Sequence, residues 1–179
     1  MTCVVGLVEG GCAWIGGDGR TCFSDSVMPV RAPKVFRCGP LLIGVSGMPR
    51  VAQIWEHEFQ LPPRGDDDVL AWLCRDVAPP LRDLMTVRGA TYDSSADGTK
   101  TLQSHALIAC EGRLFLMDGQ CAFYETERAF ECCGSGADVA SGYLLGNKLD
   151  EPEKRVKGAL RAAGEMLNSC GPPYRVEKL

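Results

Sequence analysis

Thr2, Asp18 and Lys34 are the residues of this chain whose types and spacing could together do chemistry. Thr2 follows the initiator methionine, and its small side chain permits removal of Met1. It then carries a hydroxyl and a free α-amine, whose pKa of about 7.7–8.0 leaves a useful fraction unprotonated at neutral pH. One residue thereby supplies both nucleophile and general base. Asp18 sits in the turn GGDGR, after an apolar run that pairing through Gly10-Gly11 returns beside the chain's own start. Lys34 follows Pro33 in a strand-like piece. A lysine beside Thr2 would depress the amine's pKa by like-charge repulsion, and Asp18 would keep that lysine charged and oriented. Singly, each has an ordinary explanation: threonine is common behind methionine, aspartate in glycine turns, lysine in water.

A catalytic terminus must be held rigidly, and the flanking pattern supplies the means. Residues 2–8 and 12–16 are apolar and β-branched around a Gly-Gly turn, which predicts a hairpin. Short strands are expected around Met28, around Val35 and over 41–45, so the first 47 residues read as all-β. From Pro49, Val51, Ile54, Trp55 and Phe59 fall at helical spacing. Asp66–Asp68 could cap a second helix through Leu84, which Pro79-Pro80 should kink or break. Residues 86–104 are polar and rich in Gly, Ser and Asp, which predicts an exposed loop. Strands return over 105–110, 113–118, 121–127 and 130–136. Helices follow over 137–145 and 151–168, and a strand over 174–179. Segregated runs of strands and helices predict an α+β fold, a four-layer αββα sandwich with two facing sheets and helices outside.

Composition bounds the function. At 179 residues the chain suits one domain, and 45% hydrophobic with 23% charged residues is ordinary for a globular protein. The net charge is −4 with scattered Lys and Arg, which disfavours nucleic acid. No apolar run reaches the length of a membrane span. No secretory signal is evident, so a cytoplasmic location is expected. In a reducing compartment the ten cysteines should stay thiols and pack as small apolar residues; they lack zinc-ligand spacing, and no metal or cofactor is expected.

The stretch TCVVGLVEGGCAWIGGDGRTCFSDSVMPVRAPKVF resembles the N-terminal region of proteasome β-type and HslV-like peptidases, with Thr2, Asp18 and Lys34 at the family's intervals. LLIGVSG resembles the strand ending in the oxyanion-hole glycine, which puts that role on Gly44. CGSGADVASGYLL resembles the turn carrying the serine near the nucleophile, which would be Ser135. The family has an aspartate and a serine that steady the terminal amine near the end of the last helix. Here Asn168 and Ser169 stand there, leaving that role to Ser169. Leu42 and Thr21 are the implied substrate contacts, although Leu42 has the alternative of a plain core residue. The resemblance runs from Thr2 to the C-terminus with 86–104 unmatched. It implies an N-terminal-nucleophile hydrolase that cuts peptide or unfolded polypeptide. It also implies a homo-oligomeric ring or double ring, with 48–55 and 137–145 as candidate contacts, and a possible AAA+ ATPase unfoldase partner.

Other functions compete. A catalytically inactive ring subunit would have no reason to keep Asp18 and Lys34 beside a threonine. An amidase acting on a small-molecule amide would use the same chemistry but needs an added pocket. A redox or metal module rests on cysteine count alone.

Overall fold

The chain opens on an antiparallel hairpin, β1 (Cys3–Glu9) and β2 (Cys12–Gly17), joined through Gly10 and Gly11 at positive φ. A computed structural model describes residues 2–23, 26–28, 31–93, 98–148 and 150–179. After the short strands β3 (Thr21–Phe23) and β4 (Ser26–Met28) come β5 (Val35–Cys38) and β6 (Leu41–Gly47). Helix α1 (Pro49–His57) starts on Pro49, whose missing N–H has no role in a first turn, and buries Val51, Ile54 and Trp55.

Asp68 caps the next helix, its Oδ1 accepting from the amides of Leu70 and Ala71. That helix runs through α2 (Val69–Trp72), a π turn (Leu73–Val77) and α3 (Ala78–Val87). Pro79-Pro80 therefore does not break it, contrary to expectation. The wide turn precedes the prolines, so they occupy the first turn of a new α segment where amide donors are dispensable. The expected loop over 86–104 is also corrected in part. It contains a hairpin of β7 (Thr91–Asp93) and β8 (Lys100–Leu102), anchored by buried Ala90 and Leu102; residues 94–97 lie outside the described residues.

The remaining elements are β9 (Ser104–Cys110), β10 (Arg113–Met117), β11 (Phe123–Glu125), β12 (Phe130–Gly134), α4 (Ala137–Gly146), α5 (Pro152–Met166) and β13 (Arg175–Lys178). Besides the two-stranded ribbons β3-β4 and β7-β8, two large sheets form among the described residues, one ordered β12-β1-β2-β13 and the other β11-β10-β9-β6-β5. Their facing sides meet through Val4, Ala13 and Ile15 against Leu42, Leu107, Ala109 and Leu114. Outside the first sheet, α4 and α5 bury Leu144, Val156, Ala159 and Leu160; outside the second, α1 to α3 bury Trp55, Trp72, Leu81 and Met85. This is the expected αββα sandwich. Trp55, in the segment considered for ring contacts, is fully buried in the core.

Candidate active site

Thr2 stands immediately before β1, a central strand, so the sheet on either side fixes it. It is 4% exposed. The pairing of Val4 with Gly17 brings the residue after β2 opposite Cys3, and Asp18 answers from there. Its amide donates to the Cys3 carbonyl at 3.1 Å, while its Oδ1 accepts from the Cys3 amide at 2.8 Å. Oδ2 accepts from the amides of Arg20 and Gly171, both at 3.1 Å. The buried carboxylate thus clamps the strand that carries Thr2, the turn and the chain after α5. Its charge is matched by Lys34, whose Nζ donates to Oδ1 at 2.7 Å and to the Arg20 carbonyl at 2.7 Å. An ammonium has three donors, and among the described residues the third is uncommitted.

On the other side of β1, the pairing of Cys3 with Gly134 sets Ser135 against Thr2. The Thr2 nitrogen donates to Ser135 Oγ at 3.2 Å, and Ser135 Oγ donates to the Thr2 carbonyl at 3.2 Å. Ser169 Oγ lies 3.4 Å from Ser135 Oγ, one step removed from Thr2. Among the described residues no group hydrogen-bonds the Thr2 hydroxyl. Thr2, Thr21 and Lys34 line one cavity of about 350 Å³, which continues along α1.

Five of the expected residues therefore gather here: Thr2, Asp18, Lys34, Ser135 and Thr21, with Ser169 behind Ser135. Gly44 and Leu42 do not line the cavity. Leu42 is fully buried between the sheets, and a Cβ on Gly44 would strike Val4 and Ile15. Ladder parity explains the difference. The Val45 amide donates to the Lys34 carbonyl at 2.8 Å, toward β5. The N–H of Gly44 therefore points the other way, into the ladder with Leu107 on β9. Two residues beyond Val45, Gly47 directs its N–H to the β5 side again, past the end of that strand, where the cavity lies. The Met48 amide, pointing back to the Gln103 carbonyl, agrees with this alternation. Gly47 has φ 110°, and a Cβ there would collide with the Gln103 carbonyl, so glycine is required.

The thiols near Thr2 are not nucleophiles in waiting. Burial pushes Cys132 and Cys133 up to about 12, and drives Cys3 higher still with help from the neighbouring Cys132 and Cys170. Among the described residues no cluster of His, Cys, Asp or Glu could hold a metal, and no helix is long and apolar enough to cross a membrane.

No protein-family model matches the sequence, and no curated protein does. Solved structures do match. Thiobacillus denitrificans BPH superposes with TM-score 0.77 at 18% identity, covering 99% of this chain and 97% of that one. The same protein in complex with epoxomicin gives 0.78 at 17% identity and the same coverage. HslV from Trypanosoma brucei gives 0.68 at 16% identity, covering 99% and 98%. The chain has the HslV fold.

On this HslV fold the cavity uses residues that sequence reasoning passed over. Val45, Gly47 and Met48, at the end of β6, and Ala52, Gln53 and Glu56, on α1, all line it. The signal was present in GVSG, which offers two glycines three residues apart. Only the parity of the strand relative to Lys34 chooses between them. Arg20 was also missed; its guanidinium lies against Gly171 and donates to the Asn168 carbonyl at 2.8 Å, bracing the chain after α5.

Proposed function

We propose that this chain is a threonine peptidase of the N-terminal-nucleophile type, with Met1 removed and Thr2 as nucleophile. The observation that carries the reading is the ion pair of the buried Asp18 with the half-buried Lys34, beside a threonine whose hydroxyl is unpartnered among the described residues and which borders a cavity. A surface pair would contribute little to anything. A buried carboxylate is retained only when it is well hydrogen-bonded, and here its partners hold the strand that carries Thr2, the turn beside it and the chain after α5.

In this mechanism the Thr2 hydroxyl attacks the scissile carbonyl carbon and its proton passes to the Thr2 amine. Lys34, paired with Asp18, puts a positive charge on the same cavity, and like-charge repulsion keeps the amine's basicity down so that it is free to accept the proton. Ser135 orients the amine, and Ser169 orients Ser135. The tetrahedral oxyanion is held by the N–H of Gly47, in place of the Gly44 of the sequence reading. One such donor is worth about 2.7–4 kcal/mol in the transition state. The amine then returns its proton to the leaving nitrogen as the C–N bond breaks, leaving an ester on Thr2. A water, deprotonated by the same amine, hydrolyses that ester.

The substrate in this reading is peptide or unfolded polypeptide. The working form is a homo-oligomeric ring or double ring in the cytoplasm, fed where required by an AAA+ ATPase. Light scattering of the purified protein tests the ring. Hydrolysis of fluorogenic peptides by wild type and not by Thr2→Ala tests the chemistry; equal rates would overturn Thr2 as the nucleophile, and no hydrolysis by either would favour an inactive subunit or an amidase.

A further inference from the structure

We propose that the cavity beside Thr2 is a pocket for a basic side chain, lysine or arginine, on the amino side of the cut, and that Glu56 reads its charge. The inference rests on the peptidase reading and adds the substrate class to it.

The wall of the cavity is one face of α1. Pro49, Ala52, Gln53 and Glu56 stand at i, i+3, i+4 and i+7 and all line it, while Val51, Ile54 and Trp55 on the opposite stripe are buried in the core. At 1.5 Å per residue the face runs about 10 Å from Pro49 to Glu56. Its chemistry changes along that length. Its Pro49 end follows the end of β6, where Ser46 and the Thr2 carbonyl both lie against Gly134, and adjoins Val45 and Met48, both apolar; one turn on stands Ala52, and the other end of the wall is Gln53 and then Glu56. A wall that is apolar first and anionic last matches a side chain with an alkyl stem and a terminal cation.

The pairing of the lining charges leaves Glu56 without a lysine or arginine among the described residues. Of the cations on the cavity, Lys34 is paired with Asp18 and Arg20 is tied to the Asn168 carbonyl. Arg31 is exposed and also borders a neighbouring cavity with Arg175. Glu56 is the one acid among the described lining residues. Its side chain is 29% exposed, and its one ion contact among the described residues is the His57 Nε2 at 3.5 Å, with no lysine or arginine against it. A substrate cation supplies the missing partner.

The test is a panel of fluorogenic peptides differing only at the residue before the cut: Lys, Arg, Leu and Glu. Wild type is expected to favour Lys and Arg over Leu by about tenfold or more in kcat/KM, with Glu poorest. Glu56→Gln should collapse the Lys-to-Leu ratio by about tenfold, and Glu56→Lys should move the preference toward Glu. Glu153→Gln, an exposed acid on α5, should leave the ratio unchanged. A ratio insensitive to Glu56→Gln overturns the inference, as does a preference for Glu that Arg31→Ala abolishes. Both results would leave the peptidase standing. Absence of cleavage of every peptide, with no covalent adduct at Thr2, would instead overturn the peptidase reading itself and this inference with it.

Discussion

The Lys34 ammonium lies 2.7 Å from Oδ1 of Asp18, a carboxylate with no solvent exposure that also accepts three backbone amides. The two residues depend on each other unequally. Asp18 keeps three donors if Lys34 is lost, whereas Lys34 keeps only the Arg20 carbonyl if Asp18 is lost.

That asymmetry separates two variants. Asp18→Ala unclamps β1, the turn and the segment after α5, leaving three backbone amides without their acceptor at a cost of about 1–3 kcal/mol each. For a chain of this size the melting temperature should drop by roughly 10 °C in calorimetry. Lys34→Met should lower it much less while abolishing peptide hydrolysis. Equal losses of stability from the two would contradict the clamp.

Ser135 contacts Thr2 through two hydrogen bonds of 3.2 Å. Ser135→Ala should keep the fold and lower kcat by about tenfold, the equivalent of about 1.4 kcal/mol. The pH–rate profile should shift as well, because the hydroxyl touches the nitrogen that takes the proton. A reduced rate with an unmoved profile would make Ser135 structural only.

Leu42→Ala creates a cavity between the sheets and should cost about 2–5 kcal/mol without changing the preferred residue before the cut. Val45→Ala, in the lining of the cavity, should change that preference with a smaller loss of stability. Chemical denaturation and the peptide panel read both.

The buried thiols give the fold an alkaline limit. Burial raises Cys132 and Cys133 to about 12, above the value near 8.5 of a free thiol. Below that free value both states hold the proton and the full stability is present. As pH rises toward 12 only the unfolded chain ionises, so stability falls by about 1.4 kcal/mol per pH unit for each thiol. Urea midpoints should therefore be flat to about pH 8 and then decline steeply; Cys132→Ala/Cys133→Ala should flatten the decline. An unchanged slope would contradict the burial account.

Much of this was legible in the sequence because the decisive features are local. The Gly10-Gly11 hairpin alone brings Asp18 to Cys3, and helical spacing after Pro49 separates the core face of α1 from the cavity face. Ser135 was implied only by the resemblance of CGSGADVASGYLL to the peptidase family's turn before a helix. What stayed hidden depends on non-local register. Gly44 and Gly47 are equivalent by composition, and only the pairing of Val45 with Lys34 decides which N–H enters the cavity. The same three-residue shift separates Leu42, in the core, from Val45, at the cavity. The helix through Pro79-Pro80 was hidden because a π turn leaves no mark in hydrophobic spacing. The hairpin of β7 and β8 was hidden because its strands are only three residues long.

The central claim is that a liberated Thr2 amine and its own hydroxyl form the reacting pair. Intact-mass spectrometry of the purified protein, before and after incubation with a threonine-directed covalent inhibitor, measures both halves at once. The account predicts loss of the Met1 mass and a single stoichiometric adduct that maps to Thr2 and disappears in Thr2→Ala. Retention of Met1 with no adduct, or an adduct that survives Thr2→Ala, would contradict it.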